Sequence, residues 1–112
     1  MHEMAIVDNM MQVAESEAKT HQLRTVEKVK IIIGELSGVV PEILQTCWQM
    51  AAENTILDNA VLELEKKPAI ALCRRCEAHF NFKDNFLCPH CSGGVERIIS
   101  GKELYIDFIE GE

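Results

Sequence analysis

Hydrophobic residues along this chain of 112 fall into two helical stripes and three alternating runs. Met4, Val7, Met11, Ala14 and Ala18 recur at intervals of three and four, and Ile6, Met10 and Val13 widen the stripe, so residues 4–19 are predicted to form an amphipathic helix. Glu15 and Lys19 add an i,i+4 pair on its polar side. Methionines at this spacing read as core, not as a copper-ligand set. Residues 25–33 change to a period of two, with Val29, Ile31 and Ile33 on one face and Glu27, Lys28 and Lys30 among the polar positions, which predicts a strand. Gly34 and Gly38 break that pattern. Pro41 and Glu42 then suit a first helical turn, and Leu44, Cys47, Trp48 and Ala51 share one face of a second helix that Asn54 and Thr55 end. Cys47, on that apolar stripe, reads as a small buried thiol. Two further strands are predicted at about 60–66, with Leu62 and Leu64 inward, and about 103–109, with Leu104, Ile106 and Phe108 alternating with Tyr105 and Asp107.

Together these elements predict an α+β fold: two helices on a three-stranded, mostly antiparallel sheet, with a small zinc-ribbon-like module inserted. The two late strands flank a cysteine-rich segment. The simplest arrangement is a hairpin whose connecting loop has expanded into that module. Residues 1–67 and 99–112 would then form the larger domain and 68–98 the module.

The candidate chemistry lies in the module. Cys73-Arg-Arg-Cys76 and Cys88-Pro-His-Cys91 are two CxxC pairs. Each pair can wrap a tight turn around a metal, and two turns complete a tetrahedron of thiolates at roughly 2.3 Å from a zinc ion. Four cysteines leave no open coordination position, so a catalytic zinc is disfavoured. Two close CxxC pairs make a poor disulfide staple, and a thioredoxin-like motif would need one pair at a helix start. A single iron in a rubredoxin-like site is the rival to zinc. Arg74 and Arg75 are placed to offset the charge of a tetrathiolate centre. His79, His90 and His21 read as surface residues.

Charge narrows the choice of partners. Eleven basic and eighteen acidic residues give −7 overall, with the segment 68–98 at +1 and the remainder at −8. Such a chain repels a phosphate backbone, so no nucleic-acid partner is expected. No apolar run approaches the roughly 20 residues of a membrane span, and the start lacks the pattern of a secretory signal, so a cytoplasmic location with reduced thiols is expected.

The first residues, Met1-His2-Glu3, carry a second candidate site. The terminal amine, the adjacent backbone nitrogens and the His2 imidazole are nitrogen donors only a few bonds apart. With deprotonated amides they can close a square-planar ring, which suits Ni(II) or Cu(II) and not zinc.

The start Met1-His2-Glu3-Met4, the stretch Ile33-Gly34-Glu35-Leu36-Ser37-Gly38-Val39 with Pro41-Glu42 behind it, the two CxxC turns and Gly101-Lys102-Glu103-Leu104 occur in that order. The pattern resembles the HypA/HybF family of [NiFe]-hydrogenase nickel-incorporation proteins essentially from end to end. The resemblance implies a nickel metallochaperone, not an enzyme. It implies Ni(II) as transient cargo at His2, with the Met1 amine and the backbone of His2 and Glu3 as co-ligands, in the larger domain. Structural zinc at Cys73, Cys76, Cys88 and Cys91 is the other implied metal. The implied partners are a HypB-like GTPase and the hydrogenase large-subunit precursor, and some members also serve urease maturation. A zinc-ribbon adaptor that binds proteins without carrying nickel is the alternative reading. The second turn continues Cys91-Ser92-Gly93 where the family has glycine directly after the cysteine.

Overall fold

The computed structural model describes residues 3–112. The chain divides into two compact units. One takes in the residues up to Ile32 with Gly38–Glu65 and Tyr105–Glu112; the other joins Ile33–Ser37 to Lys66–Leu104.

In the first unit, helix α1 spans Glu3–Thr20 and buries Val7, Met10, Met11, Ala14 and Ala18. That stripe is narrower than the sequence suggested, since Met4 and Val13 are exposed. The helix stops because Gln22 turns left-handed at φ 57°, and the Gln22 and Leu23 amides then bond back to the Lys19 and Ala18 carbonyls. This paired closure satisfies carbonyls that the helix end would otherwise orphan. Helix α2, Pro41–Ala52, begins with proline in its first turn, where the missing amide costs nothing, and buries Leu44, Trp48 and Ala52. Its Cys47 is only half-buried, which corrects the expectation of a buried thiol. The Thr55 hydroxyl donates to the Ala52 carbonyl (2.7 Å) and accepts from the Leu57 amide (3.1 Å), turning the chain so that Leu57 is fully buried. The two helices pack on each other.

Three strands, β1 (Val26–Gly34), β2 (Val61–Lys67) and β6 (Leu104–Gly111), form one sheet in the order β2-β1-β6. The expected hairpin between the two late strands is therefore wrong: β1 lies between them. Its composition explains the central place. Ile31, Ile32 and Ile33 are all buried, on both faces, so this stretch gains most where neighbours flank it on either side. Reciprocal Thr25–Glu112 backbone bonds join the start of β1 to the end of β6. Lys28 and Lys30 reach Glu63 and Glu65 on β2 at 3.5 and 2.9 Å. Phe108 is exposed, not inward as the alternation suggested, and the Lys30 ammonium lies 5.8 Å from its ring centroid.

The second unit has a sheet of its own, which the hydrophobic pattern did not reveal. Strands β3 (Ile70–Cys73), β4 (His79–Asn81) and β5 (Val95–Ser100) run in the order β4-β3-β5, with both pairs antiparallel. Ala71 faces Phe80 on one side and Ile98 on the other. Its small core comprises Ala71, Cys73, Phe80 and Cys88, flanked by Ala78, Phe82, Cys91, Val95 and Ile98. So few apolar groups cannot hold a domain alone, which makes an internal cross-link expected. Ile33–Ser37 joins this unit through backbone bonds from Gly34 to Glu103, Glu35 to Lys67 and Leu36 to Gly101. Gly34 permits that approach, because a Cβ there would stand 2.1 Å from the Gly101 carbonyl oxygen.

Candidate metal centre

Two nearly identical turns build the site. In the first, the Cys73 amide donates to the Ala78 carbonyl and the Glu77 amide to the Cys73 carbonyl, at 2.9 and 3.2 Å. In the second, the Cys88 amide donates to Gly93 and the Ser92 amide to Cys88, at 2.9 and 2.8 Å. Each turn closes through a residue in the left-handed region directly after its second cysteine, Glu77 and Ser92, both at φ 62°. The turns also aim backbone amides at sulfur. Arg75 and Cys76 N–H groups lie 3.3 and 3.4 Å from Cys73 Sγ, and the His90 N–H lies 3.4 Å from Cys88 Sγ.

These turns bring four thiols together. Cys73 and Cys91 sulfurs are 3.4 Å apart, those of Cys76 and Cys88 3.6 Å, and all four lie within 4.8 Å of one another. All four are free thiols, at separations well beyond the roughly 2.05 Å of a disulfide. A tetrahedron with metal–sulfur bonds of about 2.3 Å has edges of about 3.8 Å, so the set fits a tetrathiolate ion with small adjustment. Cys73 and Cys88 are buried, Cys91 is half-buried and Cys76 is exposed.

The electrostatics favour a cation. The Cys76 amide, with the Arg75 amide and neighbouring thiols, outweighs burial and lowers the Cys73 pKa to about 6. The Ala78 amide acts in the same direction on Cys76, but desolvation and the adjacent Cys91, Cys88 and Cys73 thiols push that group up to about 12. Four thiols packed this closely cannot all ionise unless a cation balances them. When bound, such an ion supplies the cross-link this small core lacks.

The arginines act on the backbone and a carboxylate around the cysteine turns. Arg74 bonds toward the Val95 carbonyl and pairs with Glu96 at 3.5 Å, while Arg75 reaches the Cys91 carbonyl at 3.2 Å. The arginines hold backbone and carboxylate, and amides serve the sulfurs. His79 and His90 are exposed and contribute no ring to the cluster. Gly93 was missed from sequence: it is buried beneath the site, where a Cβ would stand 2.9 Å from Cys73 Sγ and 3.2 Å from Cys91 Sγ. Its only sequence signal is a glycine two places after a ligand cysteine. Of the other expected site, Met1 and His2 lie outside the described residues, and Glu3 is the first residue of α1. Among the described residues no helix is long and apolar enough to cross a membrane.

The family described as hydrogenase/urease nickel incorporation, metallochaperone, HypA matches residues 1–111. The chain belongs to this HypA family. Its members are metallochaperones and not enzymes, so the cysteine cluster belongs to a metal-handling protein. A hydrogenase maturation factor HypA from Moorella thermoacetica is 40% identical over the whole of both chains. Another from Geotalea uraniireducens is 35% identical, again over the whole of both. Among solved structures, the Ni metallochaperone HypA from Helicobacter pylori superposes with a TM-score of 0.69 over 99% of this chain and 97% of that one. A second HypA solution structure gives 0.75 over 100% and 97%. Both are 23% identical to this chain and establish the shared fold.

Proposed function

We propose that this chain binds Ni(II) and helps insert it into the [NiFe]-hydrogenase large subunit during maturation. The observation that carries this reading is the HypA match over residues 1–111, reinforced by relatives aligned over their full length. In this reading residues 1–67 and 99–112 form the nickel-binding domain, two helices on a mostly antiparallel sheet. Residues 68–98 form the zinc-binding domain. His2 is the central nickel residue, with the Met1 amine and the backbone of His2 and Glu3 completing the set, and the chemistry of that nitrogen donor set suits Ni(II). Zn(II) is held by Cys73, Cys76, Cys88 and Cys91, whose sulfur separations fit the ion. The partners are a HypB-like GTPase, the hydrogenase large-subunit precursor and, for some clients, urease maturation proteins, all met in the cytoplasm. The alternative, a zinc-ribbon adaptor, shares the cysteine site and lacks the nickel one.

The deciding experiment is calorimetric nickel titration of the untagged chain, a form extended before Met1 and His2→Ala. An added residue turns the terminal amine into an amide. Extension and His2→Ala should therefore each sharply weaken nickel binding while zinc content and circular dichroism stay unchanged. Equal nickel affinity in all three would remove the N-terminal site and restore the adaptor reading.

A further inference from the structure

The cysteine unit carries a surface that metal binding does not use. Phe86 and Leu87, in the loop between β4 and the second cysteine turn, are 78% and 57% exposed, and Leu36 is 42% exposed. Leu36, Phe82 and Phe86 line an open cavity of about 200 Å³ whose remaining walls are Glu35, Lys66 and Lys83. The Phe86 ring meets Phe82 edge-on, with centroids 5.8 Å apart.

The aromatic wall is held in place before anything binds. The Phe82 amide donates to the Ala69 carbonyl, continuing the β3–β4 ladder. Asn81 then staples the loop: its side chain accepts from the Lys83 amide at 3.0 Å, and its carbonyl accepts from the Asn85 amide and side chain at 3.1 and 3.2 Å. A loop fixed this way loses little freedom on docking, so its exposed phenyl ring can contribute most of its burial energy.

Charge and size identify the occupant. The cysteine unit carries seven basic and five acidic residues, a net +2, whereas the rest of the chain has four basic and thirteen acidic, a net −9. Lys66 and Lys83 therefore edge an apolar cavity on the cationic part of an acidic protein. The one wall carboxylate, Glu35, accepts from the Ala69 amide at 2.6 Å and pairs with Lys83 at 3.5 Å, so two lysines against one glutamate leave the walls at a net +1. The cavity is smaller than the roughly 300–1,000 Å³ of small-molecule sites and suits one large side chain.

We propose that this surface docks an acidic peptide segment of a partner protein, with an aromatic or branched side chain in the Leu36–Phe82–Phe86 cavity and carboxylates beside Lys66 and Lys83. It is separate from the nickel reading and stands if that reading fails. The occupant resembles the anchors of many peptide interfaces, in which one buried ring supplies affinity and flanking charges supply selection and on-rate.

The test is amide NMR titration of the full-length, zinc-loaded chain with three blocked peptides: Asp-Glu-Phe-Asp-Glu, its alanine counterpart, and Lys-Lys-Phe-Lys-Lys. The acidic phenylalanine peptide should give saturable shifts at Leu36, Lys66, Phe82 and Phe86, diminishing with salt. Affinity should fall about tenfold or more for the alanine peptide and for Phe86→Ala, the loss expected on withdrawing a buried phenyl group. Lys66→Glu should weaken the acidic peptide and not the basic one. Because Phe86 and Lys66 are exposed, both variants should keep the wild-type spectrum away from the surface. No saturable shift at these residues up to about 5 mM peptide, a range that captures millimolar binding, would overturn the proposal. So would equal binding of the alanine or basic peptide, or concentration-dependent shifts at the same residues without peptide, which would assign the surface to a second copy of the chain.

Discussion

Gly93→Ala isolates the packing of the cysteine site with a single methyl group. Its Cβ would stand 2.9 Å from Cys73 Sγ, 3.0 Å from Arg75 Cβ and 3.2 Å from Cys91 Sγ. Carbon contacts settle at about 3.5–4.0 Å and sulfur is no smaller, so the overlap is about half an ångström on two sides. Arg75 Cβ is fixed to the backbone of the cysteine turn and cannot swing aside, and Cys73 is 1% exposed at the centre of the unit's core. The methyl group must therefore displace sulfur or the turn that carries it. Overpacking of this kind costs about 1–3 kcal/mol, equivalent to roughly five- to 150-fold in zinc affinity if the cost falls on the bound state. Gly94→Ala is the control, because nothing lies within 4 Å of a Cβ built there. Competition for zinc against a chromophoric chelator should show the loss at Gly93 and a change within about twofold at Gly94. Indistinguishable zinc affinity and thermal stability in the two variants would refute the placement of Gly93 under the sulfurs.

Three further outcomes are expected. Glu77→Gly and Ser92→Gly, at φ 62°, should each raise the melting temperature of the zinc-loaded chain by relieving about 1 kcal/mol of left-handed strain; a lower melting temperature would contradict the turn geometry. Glu35→Ala should speed hydrogen exchange at the Ala69 amide, whose acceptor it removes, whereas Glu35→Gln should leave that amide protected by its remaining oxygen. Zinc affinity should climb with pH through the neutral range, because Cys76, pushed up to about 12, must release its proton on binding, while Cys73 at about 6 is already largely ionised; chelator competition from pH 6.5 to about 8.5 checks the slope, and a flat profile would contradict the protonation states.

Helix and strand positions follow from local order. A stripe at intervals of three and four, or an alternation of two, is written into a few consecutive residues, so both helices and the strands β1, β2 and β6 lie within a residue or two of their expected positions. Cysteine spacing is local in the same sense, since a CxxC turn fixes two sulfurs regardless of the rest of the chain. The strand order belonged to the tertiary structure. Leu62–Leu64 and Leu104–Ile106 offer no side-chain code for pairing with each other or with β1, and the isoleucines of β1, buried on both faces, settle the order by taking the centre. Short strands such as His79–Asn81 are equally silent, because three residues are too few for a period and their pairing depends on the turn that Asn81 and the cysteines impose. The same reason hides Gly93 and the amides facing the sulfurs. Backbone donors look alike in every residue, and a missing Cβ matters only once distant parts of the chain have closed around it.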